Sequence, residues 1–595
     1  MDVALRPPAR LRAASGAGQV TLRWEPVAGA IGYLVHRAPK ADGPFVPVDH
    51  GGRDVLAVPG PVYCDTTGEP GEPYWYAVAS LTSTEATPGE LSEPVAACPL
   101  AETPEPLDAV VRADRAGGLL DPVWRMIGSE HLSFLLSQES VADRGIGEEL
   151  AEAFLLAREE LGAERVRAHS ILHDELRVYR EEQGEPVYDF SGIEQTCDRL
   201  LELGLRPVVE VSFMPHDLAT NPEATIFEYR GIVSPPHDWD RWGELNRRLA
   251  AHLVERYGVE EVARWGFEIW NEANLEVFWT GTQADYFRLY DVAARAIKSV
   301  DERLLVGGPS TAAAGWIADF LDFVVAEDSP LDFLSTHTYG NVPLDVGQAL
   351  AARGLDGIEV WWTEWGTTPI HFNPISDSAW GAPFVLHGMK SVQGRARALA
   401  YWVVSDHFEE LGRPPRLLHG GFGLLTVGNL RKPRWWALAL AQGLGPDLVP
   451  LELAGDGAGS LVDGWATRGE AGEVQLLLWN GTLDQAKATG DPLLDRAVRV
   501  RVDGLAEDRY SASLTRVDEA HSNLGGRWNA EADWPTAEEW AELRDADALD
   551  EEDLPAQVVQ DGRLELELRL PMPGVAHLRF VPIQNVLSLY HLVTR

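Results

Sequence analysis

Residues 264–274 read R-W-G-F-E-I-W-N-E-A-N, a short apolar stretch that ends in an Asn-Glu pair. A helical pattern follows at 283–298, Q-A-D-Y-F-R-L-Y-D-V-A-A-R-A-I-K, with apolar residues spaced three and four apart. Apolar runs and amphipathic helices alternate in this way from about residue 120 to 440. Such alternation is typical of βαβ units with a parallel sheet.

The alternation contains eight apolar runs, and eight β/α repeats in about 300 residues predict a (β/α)8 barrel rather than an open sheet. The predicted strands are W-R-M-I-G-S (124–129), R-V-R-A-H-S (165–170), R-P-V-V-E-V-S (206–212), R-W-G-F-E-I-W (264–270), R-L-L-V-G-G (303–308), L-D-F-L-S-T-H (331–337), I-E-V-W-W-T-E (358–364) and Y-W-V-V-S-D (401–406). No G-x-G-x-x-G follows the first strand, so a dinucleotide-binding fold loses its main support.

The segments flanking the barrel have the pattern of short strands between turns. Residues 1–100 predict a small β-sandwich that resembles a fibronectin type III module through Trp24, Tyr33, Tyr76 and L-S-E-P at 91–94. For this module a spacer or an oligomer contact is favoured over sugar binding.

The predicted domain order continues with a linker and joining strand (101–119), the barrel (120–440) and a C-terminal β-sandwich (441–595). Within the last of these, the acidic segment 529–555 is predicted to be a solvated surface excursion.

The 595 residues carry a net charge of −42, which argues against nucleic-acid and anionic-membrane partners because their phosphates would be repelled. A neutral substrate is favoured.

Three cysteines, Cys64, Cys98 and Cys197, exclude a disulfide framework, although a Cys64–Cys98 bridge remains open. No signal peptide or apolar run of membrane-spanning length is visible, so a cytoplasmic location is expected. No motif for a cofactor or metal stands out.

Two predicted strands end in a carboxylate. Asn271-Glu272 closes the fourth strand, and Thr363-Glu364-Trp365 closes the seventh. Active sites of these barrels lie at the carboxyl ends of the strands, where strands four and seven face each other across the mouth. Two carboxylates above one pocket are what glycosidic cleavage requires, one as proton donor and one as nucleophile, about 5 Å apart for a retaining mechanism.

Other polar residues at strand ends are candidate substrate contacts. His337 and Tyr339 share one side of the sixth strand, so His337 is expected to bind a sugar hydroxyl or the nucleophile, and Tyr339 to keep Glu364 ionised. His169 ends the second strand, and Asp406 ends the eighth. The carboxylates Glu210 and Glu268 inside strands are predicted to pair with Arg167 or Arg165.

The chain resembles glycoside hydrolase family 39, which contains β-xylosidases and α-L-iduronidases. The resemblance covers about residues 107–550 and rests on these motifs in order: R-A-H-S-I-L-H-D-E-L (167–176), Y-D-F-S-G-I (188–193), L-E-L-G-L-R-P-V-V-E-V-S-F-M-P (201–215), F-E-I-W-N-E-A-N-L (267–275), S-T-H-T-Y-G (335–340), W-W-T-E-W-G (361–366), S-D-H-F-E-E-L-G (405–412), H-G-G-F-G-L-L (419–425) and R-V-D-E-A-H-S-N (516–523) with Trp528.

By this resemblance, Glu272 is the general acid/base and Glu364 the nucleophile of a retaining, exo-acting glycosidase for neutral, xylose-type sugars. The subsite residues would be Asn271, His169, His337 and Tyr339, with Glu409 and Glu410 nearby. The iduronidase branch carries a basic residue where this chain has Tyr339, which argues against a uronide.

The N-terminal module and the loop at 367–380 depart from the family pattern. They leave arabinose, galactose, a disaccharide unit or endo-action as alternatives. A non-catalytic sugar-binding protein is disfavoured by the intact pair of carboxylates, and self-association stays open.

Overall fold

Eight parallel strands close into a barrel, as the sequence predicted. The computed structural model describes residues 5–102, 104–141, 144–407, 410–412, 416–529, 532 and 534–583. The barrel strands, first to eighth, are Met126–Ser129, Arg165–Ala168, Arg206–Val211, Phe267–Ile269, Val306–Thr311, Phe333–Tyr339, Glu359–Gly366 and Ala398–Tyr401. The eighth strand returns to the first through Tyr401 and Ile127.

Helices surround the barrel; most bury one face, and the last two, which also contact the C-terminal sandwich, are buried on nearly all sides. Those described are Ile146–Leu161, Ser191–Glu202, Trp239–Tyr257, Val259–Val262, Gln283–Lys298, Ile317–Glu327, Gly347–Ala351, Gly381–Ser391 and Pro433–Gln442. The helix Gln283–Lys298 begins at a capping box, in which Thr282 and Asp285 each bind the other's backbone N–H. Its buried face includes Tyr286 and Tyr290, and this face covers the fourth and fifth strands.

The inside of the barrel has an apolar floor near the amino ends of the strands. It contains Met126, Val208, Phe333, Trp361, Ala398 and Ala400. The rings of Phe333 and Trp361 are stacked, with centroids 4.0 Å apart and an interplanar angle of 12°. A Cβ on Gly307 would lie 2.2 Å from the Phe333 ring, so only glycine leaves room for this stack. Above the floor, charged side chains replace apolar ones.

The N-terminal module consists of two antiparallel sheets that share one apolar core. One sheet contains Arg12–Gly16, Gln19–Arg23 and Val62–Asp65, and the other Val46–Pro47, Gly32–Ala38, Tyr74–Leu81 and Val95–Ala97. Trp24 and Tyr33 pack edge-to-face in that core, 5.3 Å apart. Its likeness to fibronectin type III stays a prediction.

The module is fixed to the barrel rather than tethered to it. The Asn341 side chain donates to the carbonyl oxygens of Val55, at 2.7 Å, and Ala57, at 2.5 Å. Ile31, Ala57 and Leu81 belong to the same buried apolar cluster as the barrel helices. These contacts disfavour a role as a mere spacer, and a role as an oligomer contact stays a prediction. Cys64, Cys98 and Cys197 are free thiols, so Cys64 and Cys98 form no bridge.

The last part of the chain forms a second sandwich that also takes in residues from before the barrel. One sheet contains Gly118–Leu119, Asp447–Val449, Val462–Arg468, Val474–Asn480, Arg509–Asp518, Asp550–Val558 and Gly574–Pro582, and the other Leu107–Arg112, Leu451–Ala454, Arg496–Asp503 and Arg563–Leu570. Short hairpins elsewhere pair Ser140–Val141 with Arg144–Gly145, Tyr179–Glu182 with Glu185–Tyr188, and Thr225–Ile226 with Gly231–Ile232. Within the described residues, no helix is long and apolar enough to cross a membrane.

Where the structure describes it, the segment 529–555 is partly helical and most of its residues are exposed, as predicted, but it is also anchored to its surroundings. Helix Ala537–Asp545 is followed by a sheet strand, and Trp534 and Trp540 pack against Leu417 and Val427 beside the barrel mouth. Acidic composition concealed this anchoring, which is made by the tryptophans and by Asp547, which pairs with Arg431 at 2.7 Å.

The stacked floor of the barrel is expected to carry much of its stability. Trp361→Ala should cost about 3–5 kcal/mol because it leaves a cavity under Phe333, and should lower the calorimetric Tm by several degrees. Trp361→Phe is the matched control, since it keeps a ring in the stack. Equal Tm losses in the two variants would contradict this role for the stack.

Candidate active site

A pocket of about 380 Å³ opens at the carboxyl ends of the barrel strands. Loops after most of the strands contribute to its wall, together with one residue of the N-terminal module. Its lining residues are Asp54, His169, Ile226, Phe227, Asn271, Glu272, Leu275, Val277, Phe278, Ala312, Ala313, Tyr339, Glu364, Pro369, His371, Trp402, Glu410, Leu411 and Phe422. This volume is typical of a small-molecule site.

Glu272 and Glu364 lie together in this pocket, 8% and 4% exposed. An oxygen of one lies within 4.8 Å of an oxygen of the other. This upper limit is compatible with the roughly 5–5.5 Å between the carboxyl groups of retaining glycosidases and lies below the roughly 6.5–9.5 Å of inverting ones. Glu272 has a left-handed backbone, φ +47°, and its N–H is held by the Ser310 carbonyl at 2.7 Å. A strained backbone at a pocket is typical of functional positions.

The fully buried Arg167 joins the pocket to the charged interior of the barrel. Its guanidinium pairs with Glu210 and Glu268, each at 2.7 Å, and with Glu364. It also donates to the Asn271 side-chain oxygen at 2.8 Å. The predicted pairing of Glu210 and Glu268 with Arg167 is confirmed. Because the guanidinium has a fixed planar shape, it sets the positions of all these oxygens at once.

Glu364 is surrounded by groups that favour its ionised form. Burial raises its pKa, but the Arg167 charge, the nearby His169 and a hydrogen bond from the Tyr339 hydroxyl (2.8 Å) all act in the opposite direction. Tyr339 is thus placed as the sequence suggested. The pKa of Tyr339 itself is raised well above the usual value by burial and by the Glu364 charge. The hydroxyl therefore keeps its proton and donates a hydrogen bond to Glu364.

Glu272 lies in a less favourable place for a negative charge. Burial raises its pKa well above the usual value, and the charge of Glu364 raises it further. Its neighbour His337 stays neutral, because burial and then Arg167 lower the pKa of the imidazole well below its usual value. The His337 Nδ1 lies 2.9 Å from Glu272 Oε1. The two carboxyl groups share one pocket, yet Glu272 holds its proton more tightly than Glu364.

His337 does not reach the pocket. It is fully buried beneath the two carboxylates, with Nδ1 on Glu272 and Nε2 3.1 Å from the Thr363 hydroxyl. The first alternative, a bond to a sugar hydroxyl, is therefore wrong; as for the second, Nδ1 lies 3.7 Å from Glu364 Oε2, beyond hydrogen-bond distance. It orients the carboxyl group of Glu272 instead.

His169 does line the pocket. Its Nδ1 lies 2.7 Å from Glu210, and although burial lowers the pKa of the imidazole, this carboxylate outweighs it and raises the value. The raised pKa favours the protonated imidazole, so His169 is suited to donate a hydrogen bond into the substrate space.

The eighth strand gives a mixed result. Asp406 is fully buried away from the pocket, where it accepts from Gly423 N–H at 2.7 Å and pairs with Lys432 at 2.5 Å. Its predicted contact with substrate is wrong, since both oxygens hold the following loop.

Glu410 lines the pocket and lies 3.0 Å from His371 Nε2. Glu409 lies outside the described residues.

Several wall residues were missed by the sequence analysis. Phe227, Phe278, Trp402 and Phe422 form an aromatic wall suited to the apolar faces of sugar rings. The chain has 21 tryptophans, but no local pattern in the sequence separates wall aromatics from core aromatics. Asp54 was missed because it comes from a different domain.

Two groups of side chains have atoms close enough for a cation, namely Glu272, His337 and Glu364, and Glu130, His169 and Glu410. In the first, the hydrogen bond between His337 and Glu272 and the Arg167 contact with Glu364 account for the closeness. Two carboxyl groups as close as Glu272 and Glu364 are suited to acid/base chemistry.

The chain matches known proteins over most of its length. A family model for glycosyl hydrolases family 39 matches residues 108–565. A β-xylosidase of Caldicellulosiruptor saccharolyticus is 33% identical over 434 residues, 69% of this chain and 85% of that one. A β-xylosidase of Geobacillus stearothermophilus is 34% identical over 364 residues, 56% of this chain and 70% of that one. The crystal structure of a monomeric β-xylosidase from Caulobacter crescentus CB15 aligns with a TM-score of 0.68 at 29% identity, over 80% of this chain and 100% of that one. The chain is a glycosidase that belongs to glycoside hydrolase family 39.

Proposed function

We propose that this chain is an exo-acting β-xylosidase that retains anomeric configuration, with Glu272 as acid/base and Glu364 as nucleophile. The observation that carries the assignment is the pair of carboxyl groups within 4.8 Å of one another in unequal surroundings. The protonated one lies where a leaving oxygen needs a proton, and the ionised one is held by Arg167 and Tyr339.

In the first step, a Glu364 oxygen attacks the anomeric carbon while the bond to the leaving oxygen breaks. The proton of Glu272 moves to that oxygen, and the aglycone leaves as an alcohol. A covalent glycosyl-enzyme remains. In the second step, Glu272, now a carboxylate, takes a proton from water, and the water oxygen displaces Glu364 from the same carbon. The free sugar leaves and both carboxyl groups regain their starting states.

Asn271 is suited to recognise the sugar 2-hydroxyl. Its side-chain oxygen is occupied by Arg167, so its NH₂ group is the part left to donate into the pocket. Hydrogen bonds to the 2-hydroxyl strengthen as the oxocarbenium-like transition state forms.

A neutral sugar fits the charges of the pocket. Carboxylates line it at Asp54, Glu272, Glu364 and Glu410, and among its described lining residues none is Lys or Arg. A uronate would meet the repulsion of these four carboxylates, with neither a Lys nor an Arg in the described lining to offset it. The β-xylosidase names of the similar proteins support xylose as the sugar and the exo-acting assignment.

The two carboxyl groups are expected to respond differently to mutation. Glu364→Gln should abolish hydrolysis across a panel of nitrophenyl glycosides (β-xyloside, α-arabinoside, β-galactoside, β-glucoside, α-iduronide). Glu272→Ala should impair natural xylo-oligosaccharides far more than activated aryl xylosides, because a good leaving group needs no proton. A difference of about 10²-fold or more between the two substrate types is expected from the size of general acid catalysis.

The control for this comparison is Glu276→Ala, an exposed residue in the loop after the fourth strand, which should leave both activities unchanged. Equal losses on both substrate types in Glu272→Ala would contradict its role as acid. Preferred cleavage of another glycoside in the panel would keep the mechanism and change the sugar.

The hydroxyl of Tyr339 is expected to set the acidic limb of the pH profile. Its hydrogen bond lowers the pKa of Glu364, so Tyr339→Phe should raise that pKa and move the acidic limb of kcat/KM to higher pH. A hydrogen bond to a charged group is worth about 1.5–3 kcal/mol, which corresponds to a shift of about 1–2 pH units. The alkaline limb, set by Glu272, should move little.

Tyr290→Phe provides the control, since the Tyr290 hydroxyl binds the Pro330 carbonyl away from the pocket. An unmoved acidic limb in Tyr339→Phe would show that Tyr339 does not stabilise the ionised nucleophile.

A further inference from the structure

One loop of the N-terminal module reaches the mouth of the barrel and is held there by its backbone. Gly52 lies against Gly340, so closely that a Cβ on Gly52 would be 2.3 Å from the Gly340 carbonyl oxygen. The Asn341 side chain binds the carbonyl oxygens of Val55 and Ala57. The loop 52–57 is thus seated on the end of the sixth barrel strand.

Asp54 lies in the middle of this seated loop, and one of its oxygens is used for docking. Its Oδ2 accepts a hydrogen bond from the Thr338 hydroxyl at 2.9 Å and another from the Tyr339 N–H at 2.7 Å. Both donors belong to the sixth strand. Tyr339 is the residue whose hydroxyl binds Glu364, and Thr338 directly precedes it. The side chain of Asp54 is therefore fixed in position relative to the two reacting carboxyl groups.

The other oxygen, Oδ1, has no hydrogen-bond partner within the part of the chain that the structure describes, while Asp54 lines the pocket together with Glu272 and Glu364. A hydrogen-bond acceptor that is partly removed from water is stabilised when a donor binds to it. Sugar hydroxyl groups are donors of this kind, and a bond to an ionised carboxylate is stronger than one between neutral groups.

We propose that Asp54, a residue of the N-terminal module, is part of the substrate site and accepts a hydrogen bond from a hydroxyl of the bound sugar on the Glu272 side of the pocket. The module thereby acts as a specificity element of the barrel. This inference rests on the proposed function, because it assigns a contact within the same site.

The position of Asp54 has a second effect on the chemistry. Burial of Asp54 raises the pKa of its own carboxyl group, although the two hydrogen bonds to Oδ2 act against this. Its negative charge is also one of the charges that raise the pKa of Glu272, after burial and Glu364. A charge at this point therefore favours the protonated acid and disfavours substrates that carry a carboxylate.

Asp54→Asn tests the contact with little change in shape. The amide oxygen can still accept from Thr338 and Tyr339, which turns the NH₂ group toward the pocket and replaces an acceptor by a donor. With 4-nitrophenyl β-xyloside as substrate, KM should rise about tenfold or more with kcat less affected, and the alkaline limb of the pH profile should move to lower pH. KM does not depend on the folded fraction, so partial unfolding cannot imitate this result.

The matched control is Asp42→Asn, a change of the same charge at an exposed position of the same module, which should keep KM within about twofold of the original chain. A KM within about twofold in Asp54→Asn as well would overturn the proposal. If the unmutated chain cleaves no glycoside of the panel, the proposed function fails instead. Calorimetric titration with xylose then decides the role of Asp54: equal Kd values in the unmutated chain and Asp54→Asn would reject it, and weaker binding by Asp54→Asn would support it.

Discussion

The guanidinium of Arg167 lies inside the barrel among the carboxylates of Glu210, Glu268 and Glu364. Three buried negative charges would be very costly without it, and removal of one partner from a buried ion pair usually costs several kcal/mol. The same cation holds Glu364 ionised and orients Asn271. Chemistry and stability therefore depend on one side chain, and the apolar floor of Phe333 and Trp361 closes the barrel below it.

This cation also explains how two similar carboxyl groups come to differ. Burial raises the pKa of both, so depth in the protein does not separate them. The difference comes from their partners, since Glu364 receives Arg167 and the Tyr339 hydroxyl, whereas Glu272 lies beside a neutral imidazole. Unequal partners for paired titratable groups are the usual origin of distinct acid and base roles.

Local patterns in the sequence were sufficient for the barrel and for Glu272 and Glu364, because each strand and the carboxylate at its end lie within a few residues of one another. Arg167 was recognised as a partner of buried carboxylates, but its contact with Glu364 was not. Asp406 was assigned to the site from its place at a strand end, yet Lys432, 26 positions later, draws it into the interior. Asp54 had no local signal at all, since its function depends on contacts with residues about 285 positions away.

The strand Leu107–Arg112 has a consequence for how the chain is made. It precedes the barrel but lies between Leu451–Ala454 and Arg496–Asp503 in the C-terminal sandwich. During synthesis, about 340 residues therefore follow this strand before its first partner is made, and about 380 before its second. Contacts of such long sequence separation form slowly, and an unpaired strand edge promotes aggregation in the meantime. A nascent chain of this topology needs its first sandwich strand shielded until translation is almost complete.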